Sequence, residues 1–309
     1  MLQSPNEDRQ VTTSQKTLPR TAPPALRGGG RWVAGIAVGV VVLVASYLLA
    51  VWTRTGQAVE NAALRGADQV AAQDAVEAGE TLGAITLVSL IGAMILVAVI
   101  ALLRRRLDLA VAAVGVIVLG QVLTQALKRF ILPRPDLVEV AGDYSHNSFP
   151  SGHTTIAVTV LFALFLVVPY RFRGVLMFFL CPWAMSIGAY TVTAKWHRFS
   201  DTAGAVAIAL ICACLASWWL ARRGEVLRYG GPALPGRVAL VVVIAVFSAV
   251  ALAVGAFLWA AGLARGVDFT VADQVWEYNA YLGANALAAA VAGTCTLLFW
   301  GLWHRREIT

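Results

Sequence analysis

The sequence predicts an all-α protein: a polytopic membrane helix bundle, with a six-helix core over residues 31–221 and two additional transmembrane helices within 222–309. Three observations predict it. Of the 309 residues, 59% are hydrophobic and only 13% charged, too apolar for a soluble domain of this size. The charges cluster, which leaves apolar runs near or above the roughly 18 residues that read as a bilayer crossing. Lys and Arg gather in alternate short loops, as insertion into a membrane requires.

In chain order, residues 1–30 are polar, with Pro19, Pro23, Pro24 and the run Gly28-Gly29-Gly30. That composition cannot bury a core and predicts a disordered cytoplasmic tail. The apolar run from Trp32 to Trp52 is longer than the core of a signal peptide, and no clear small-residue cleavage site follows, so a retained span is expected. Further apolar runs occupy 82–103, 108–127, 155–170, 174–193, 202–220, 237–261 and 280–303, which makes eight expected spans with the fourth the shortest. The segment 53–81 is acidic and Ala-rich and predicts a surface helix without an evident function.

With both termini in the cytoplasm, sixteen of the 24 Lys and Arg fall on the cytoplasmic side. Of the eight on the other side, five lie in the three polar segments described next. The net charge of +7 is therefore an insertion signal and not a nucleic-acid footprint. Cys181, Cys212, Cys214 and Cys295 all sit inside apolar runs without metal-site spacing, so they read as small buried hydrophobes.

Three polar segments fall at helix ends on the predicted extracytoplasmic face, at a depth where polar side chains are costly unless paired or used. The first is Lys128-Arg129-Phe130-Ile131-Leu132-Pro133-Arg134-Pro135. The second is Ser148-Phe149-Pro150-Ser151-Gly152-His153-Thr154. The third is Lys195-Trp196-His197-Arg198-Phe199-Ser200-Asp201. In the second, Ser151 is an N-cap candidate, and the free amides after it, with Gly152 and His153, suit an oxyanion. An ordinary capped helix start with an incidental His fits the same residues. In the third, His197 and Asp201 are four apart and share a helix face. A carboxylate on one ring nitrogen leaves the other free as a nucleophile, although a solvated His and a dipole-favoured Asp would look alike.

Two imidazoles with separate tasks, nucleophile and proton donor, are what metal-free phosphomonoester cleavage needs. Lys128 and Arg134 would neutralise the non-bridging oxygens, or snorkel to headgroups. Snorkelling is the preferred reading of Arg129 and Arg198. Gln121, Thr124, Gln125 and Lys128 share one helix face, either as a substrate groove or as interhelical bonding. His304 lies on the opposite side among Arg305 and Arg306 and receives no role. His146 precedes the central segment and is a minor candidate.

The stretch Ser148–Thr154 resembles the central motif of the type 2 phosphatidic acid phosphatase superfamily, membrane lipid phosphatases that share a core with vanadium haloperoxidases. The family's first motif is Lys, six residues, then Arg-Pro. Its third is Ser-Arg, five residues, His, three residues, Asp. Lys128 with Arg134-Pro135 is similar to the first, and His197 with Asp201 to the third; the order and separations agree over residues 32–220. Two departures stand out. Five residues separate Lys128 from Arg134, and the Ser-Arg of the third motif falls on Tyr190-Thr191, so its Arg is absent. Lys195 and Arg198 are further candidates for that charge, and Thr191→Arg is expected to raise activity if the charge is limiting.

The resemblance implies a phosphatase-like core in which His197 is the nucleophile that becomes phosphohistidine. Asp201 orients it, and His153 is the general acid. Lys128, Arg134, Ser151 and Gly152 bind the phosphate, and no cofactor or metal takes part. The implied function is an integral membrane hydrolase of a lipid phosphate or diphosphate, isoprenoid or glycerophospholipid, in the cell membrane. A degenerate member that binds a lipid phosphate without cleaving it is the alternative. The last two spans lie beyond the family core and are candidates for a protein contact or a lipid groove.

Overall fold

A computed structural model describes residues 29–139, 147–232 and 235–308. All but the end of the predicted disordered tail lies outside these residues, as does His146. Among the described residues ten α-helices account for most of the chain: α1 (Gly30–Ser46), α2 (Arg54–Gly66), α3 (Ala72–Gly83), α4 (Leu87–Leu103), α5 (Leu107–Ala126), α6 (Gly152–Val167), α7 (Arg173–Thr193), α8 (Phe199–Arg222), α9 (Pro235–Ala264) and α10 (Gln274–Leu302). Two short strands, β1 (Val226–Arg228) and β2 (Arg306–Ile308), pair antiparallel. The chain is an all-α, multi-pass membrane bundle.

The eight expected spans are all helical, but they are not equal. Six are long and apolar enough to cross a membrane by themselves: Gly30–Val51, Leu107–Ile131, Tyr170–Thr193, Phe199–Arg222, Pro235–Ala264 and Gln274–Leu302. The second expected span is broken by a 57° bend between α3 and α4. The break has a local cause: the Thr86 hydroxyl accepts from the Ser89 amide, and the Thr86 amide donates to Ser89 Oγ, a reciprocal cap that starts a new helix. The fourth expected span, α6, has 16 residues and is about 24 Å long, short of the ~30 Å hydrocarbon thickness. It starts at Ser151 and ends before Pro169, which cannot continue the helix.

The two ends of the bundle are distinct. At one end meet the start of α1, the α4–α5 turn, the end of α6, the start of α7 and the ends of α8 and α10. Arg31 donates to the Leu302 carbonyl, Arg104 to that of Val167 and Arg173 to that of Arg306. The opposite end holds α2, α3, the segments 128–139 and 147–152, and the α7–α8 turn. Helix α8 is the central post, packed by α1, α5, α6 and α10. Close approach of α1 needs glycine: a Cβ at Gly39 would lie 2.6 Å from Ile211 Cγ1 and 3.1 Å from the Ala207 carbonyl oxygen. The four cysteines are buried in apolar surroundings.

The segment 53–81 differs most from expectation. It forms α2 and α3, and α2 is not a surface helix: Gln57 to Leu64 are all buried. Its Ala58, Val59, Ala62 and Ala63 pack with Val192 of α7 and with Ala280, Tyr281 and Ala284 of α10. Arg65 pairs with Glu277, which fastens α2 to α10. The polar positions Gln57, Glu60 and Asn61 are left facing the candidate site.

Candidate active site

Backbone and side-chain bonds stitch the three polar segments into one place. The Ser151 amide donates to the Asp201 carbonyl (2.9 Å), so the start of α6 rests on the start of α8. Asn147 donates to the carbonyls of Lys128 (3.1 Å) and Leu132 (2.6 Å), joining the central segment to the first. Gln57 donates to the Pro135 carbonyl (2.7 Å) and holds the strand-like stretch beside Arg134. A glycine fixes the depth of the central segment. The Phe149 ring is fully buried against Gly204 of α8, where a Cβ would lie 2.6 Å from the ring.

His197 sits in the turn between α7 and α8. The Thr191 carbonyl accepts from the amides of both Trp196 and His197 (3.0 Å each), which closes that turn. His197 Nδ1 is 3.2 Å from Asp201 Oδ2, and the same carboxylate oxygen accepts from the Arg198 amide at 2.9 Å. Asp201 is thereby both a helix cap and the partner of the imidazole. Burial holds the His197 imidazole below its ordinary value, although Asp201 pulls it upward. It is therefore neutral near pH 7, the state in which a ring nitrogen carries a lone pair.

His153, in the first turn of α6, faces the same turn. Its ring centroid lies 5.1 Å from that of Trp196 and 6.2 Å from that of His197. Ser151 caps α6, with Oγ accepting from the Thr154 amide at 3.3 Å, as its position predicts. Gly152 has ordinary space around it: a Cβ would be 3.7 Å from Gln125 Nε2, so close protein packing does not demand a glycine there. Both Nη atoms of Arg134 are buried and have no partner among the described residues. Buried guanidinium donors without acceptors are costly, and an anion would satisfy them.

The segment that carries all of this, residues 109–225, matches the family model described as the PAP2 superfamily. This segment, and with it the three polar motifs, is similar to the PAP2 superfamily. Together with the apolar spans, this match points to a membrane phosphatase, a phosphoester hydrolase. Comparisons with curated proteins and with solved structures give no match.

Against the PAP2 motifs the departure at Thr191 has a structural meaning. Thr191 is fully buried; its Oγ1 donates to the Gly188 carbonyl (2.7 Å) and lies 3.2 Å from Thr202 Oγ1. It packs α7 on α8 and does not face the histidines. Lys195, with left-handed φ of 58°, is paired with Asp68 at the exposed rim. Arg198 corrects the snorkelling expectation, being only 3% exposed. Its Nε and Nη2 donate to Asn61 Oδ1 (3.1 Å each) and its Nη1 to Ser148 Oγ (3.2 Å), so a cation stands inside the site one residue after His197. Arg129, by contrast, is exposed, as a headgroup anchor would be. On α5, Thr124 bonds Thr155 of α6 at 2.9 Å, which is the interhelical reading of that stripe.

Two residues of the site escaped the sequence reading. Glu60, 1% exposed, accepts from the Ser200 amide (2.7 Å) and from Ser200 Oγ (3.0 Å), tying α2 to the first turn of α8. Burial, and then Asp201, push the Glu60 carboxyl up, while Arg134 and Arg198 oppose them. Asn61, 2% exposed, holds Arg198 and keeps a buried Nδ2 without a partner among the described residues. Because its oxygen must face the guanidinium, the amide orientation is fixed and the NH2 points elsewhere. The signal was present as polar residues at 57, 60 and 61, one helical face among alanines, but both lie outside the matched segment.

Proposed function

We infer that this protein removes phosphate from a lipid phosphate or diphosphate at the extracytoplasmic face, through a phosphohistidine. The observation that carries the reading is the 6.2 Å separation of the His153 and His197 rings, with Asp201 on one of them. His197 Nε2 attacks phosphorus while Nδ1–H stays bonded to Asp201. The P–O bond to the lipid breaks, and His153 gives its proton to the departing oxygen. Water then attacks the phosphohistidine, His153 takes a proton from that water, and phosphate leaves with His197 restored.

Lys128 and Arg134 neutralise the non-bridging oxygens, and the amides that follow Ser151 add donors at the helix start. Arg198 takes the place of the cation that the family carries at the position of Thr191, with Asn61 holding it and offering its free NH2. The site gathers at helix ends beside apolar spans, so a lipid phosphate can reach it with its chain still in the bilayer. The preponderance of Lys and Arg at the other end of the bundle supports an extracytoplasmic site with cytoplasmic termini.

The test is phosphate release by the purified chain from a panel of lipid monophosphates and diphosphates, with EDTA present. Turnover that disappears in His197→Ala supports the reading. Turnover that survives in that variant, or that requires a divalent metal, overturns it. Tight lipid-phosphate binding without any turnover would favour a binding protein instead, the reading that the Thr191 departure leaves as second.

A further inference from the structure

At the end of the bundle away from the histidines, a groove of about 440 Å³ opens between the starts of α7 and α9, lined by Arg171, Gly174, Val175, Phe178, Arg237 and Leu240. Helix α9 lies outside the family segment, and its contact with the rest of the chain is mostly with α10; it meets α7 only slightly. The groove is where the two helices face each other without filling the space between them.

The geometry points to a binding site here for one anionic phospholipid, its phosphate between Arg171 and Arg237 and its acyl chain along Val175, Phe178 and Leu240. Arg237 is built into the groove. Its guanidinium carbon lies 4.0 Å from the centre of the Tyr170 ring, which stacks on Tyr229 at 3.8 Å. Gly174 makes room for it, since a Cβ there would meet Arg237 Cγ at 3.0 Å. So placed, Arg237 leaves Nη1 buried without an acceptor among the described residues.

Among the described residues, no carboxylate comes within ion-pair distance of either arginine. Two guanidiniums and a buried orphan donor call for an oxyanion, and planar guanidinium forks match phosphate oxygens. The rest of the lining decides between a free and a lipid phosphate. Val175 and Phe178 are 60% and 58% exposed on a membrane-facing helix, a surface for a hydrocarbon chain and not for water. The lipid would fill the gap between α7 and α9 and fasten α9 to the core. Neither arginine is near the histidines, so this site does not depend on the catalytic reading.

The experiment uses the full chain, purified and delipidated in a neutral detergent, with thermal unfolding followed by tryptophan fluorescence. Phosphatidylglycerol in mixed micelles is expected to raise Tm in a saturable way, whereas phosphatidylcholine and inorganic phosphate at equal concentration are not. Arg171→Gln and Arg237→Gln are each expected to weaken the phosphatidylglycerol effect about tenfold in half-saturating concentration, the loss of one charged contact. Arg171 is exposed, so its variant folds and decides the matter even if Arg237→Gln does not. An equal rise with phosphatidylcholine, a rise with inorganic phosphate alone, or an unchanged phosphatidylglycerol response in Arg171→Gln overturns the proposal.

Discussion

Asn61→Ala isolates the part of the site that the family motifs do not describe. The Asn61 oxygen accepts from both Nε and Nη2 of Arg198 at 3.1 Å, and Arg198 is 3% exposed. Hydrogen bonds to a charged group contribute about 1.5–3 kcal/mol, and the two here share one acceptor, so their joint loss is about 2–3 kcal/mol. If Arg198 is held in place for the phosphate, that energy appears in the transition state as a fall in kcat/KM of roughly 30- to 150-fold. Phosphate release from a lipid phosphate in detergent measures it, with Tm recorded alongside. Asn61→Asp separates catalysis from structure. It keeps an acceptor on Arg198 but cancels the positive charge offered to the substrate, so its activity should fall below that of Asn61→Ala while Arg198 stays anchored. A merely structural Asn61 predicts the reverse order. Variants that lose Tm but keep kcat/KM within about threefold of the parent would refute the reasoning.

Asp201→Asn should leave the fold recognisable and lower kcat by roughly 10²- to 10⁴-fold, because the imidazole loses the group that fixes its tautomer; single-turnover phosphate release checks this. Burial lowers the pKa of His197, so the acid limb of kcat/KM that belongs to the nucleophile should lie below the ordinary imidazole value of 6.5. A pH–rate profile with that limb at or above 6.5 would contradict the assignment. Thr191→Arg, expected from the motifs to raise activity, should instead lower folded yield and Tm, because Thr191 is fully buried against Thr202 and an added guanidinium has neither room nor partner. Gly204→Ala should cost about 1–3 kcal/mol of stability and reduce kcat, since its methyl would strike the Phe149 ring and displace the segment before Ser151. Denaturation in detergent and phosphate release give the two readings.

The spans and the pair His153–His197 were legible because they rest on strong local signals. A bilayer imposes length and apolarity on each crossing, and a capped helix start with its His is written in consecutive residues. The parts that were not legible depend on contacts distant in sequence. The 57° parting of α3 and α4 is the exception, since its cause is local: the Thr86–Ser89 cap, two small hydroxyls inside an apolar run. Read by itself, α2 looks like a surface helix because its alanines are weakly apolar and its carboxylates suggest water. It becomes interior only when α10 and α7 close over those alanines, and Arg65 meets Glu277 only across more than two hundred residues.

Arg198 was misread for a related reason. An arginine at a helix end beside the membrane is ordinarily a headgroup anchor, and only its acceptor, Asn61, turns it inward. That acceptor comes from a helix the family pattern does not contain. The position of the cation and the presence of α2 are therefore linked. On the proposed function, a phosphate without an arginine at 191 is one charge short, and Arg198 can supply that charge only if a partner holds its buried guanidinium. Helix α2 is that partner, braced in turn by α10, which gives the last span a structural reason to sit against the catalytic end.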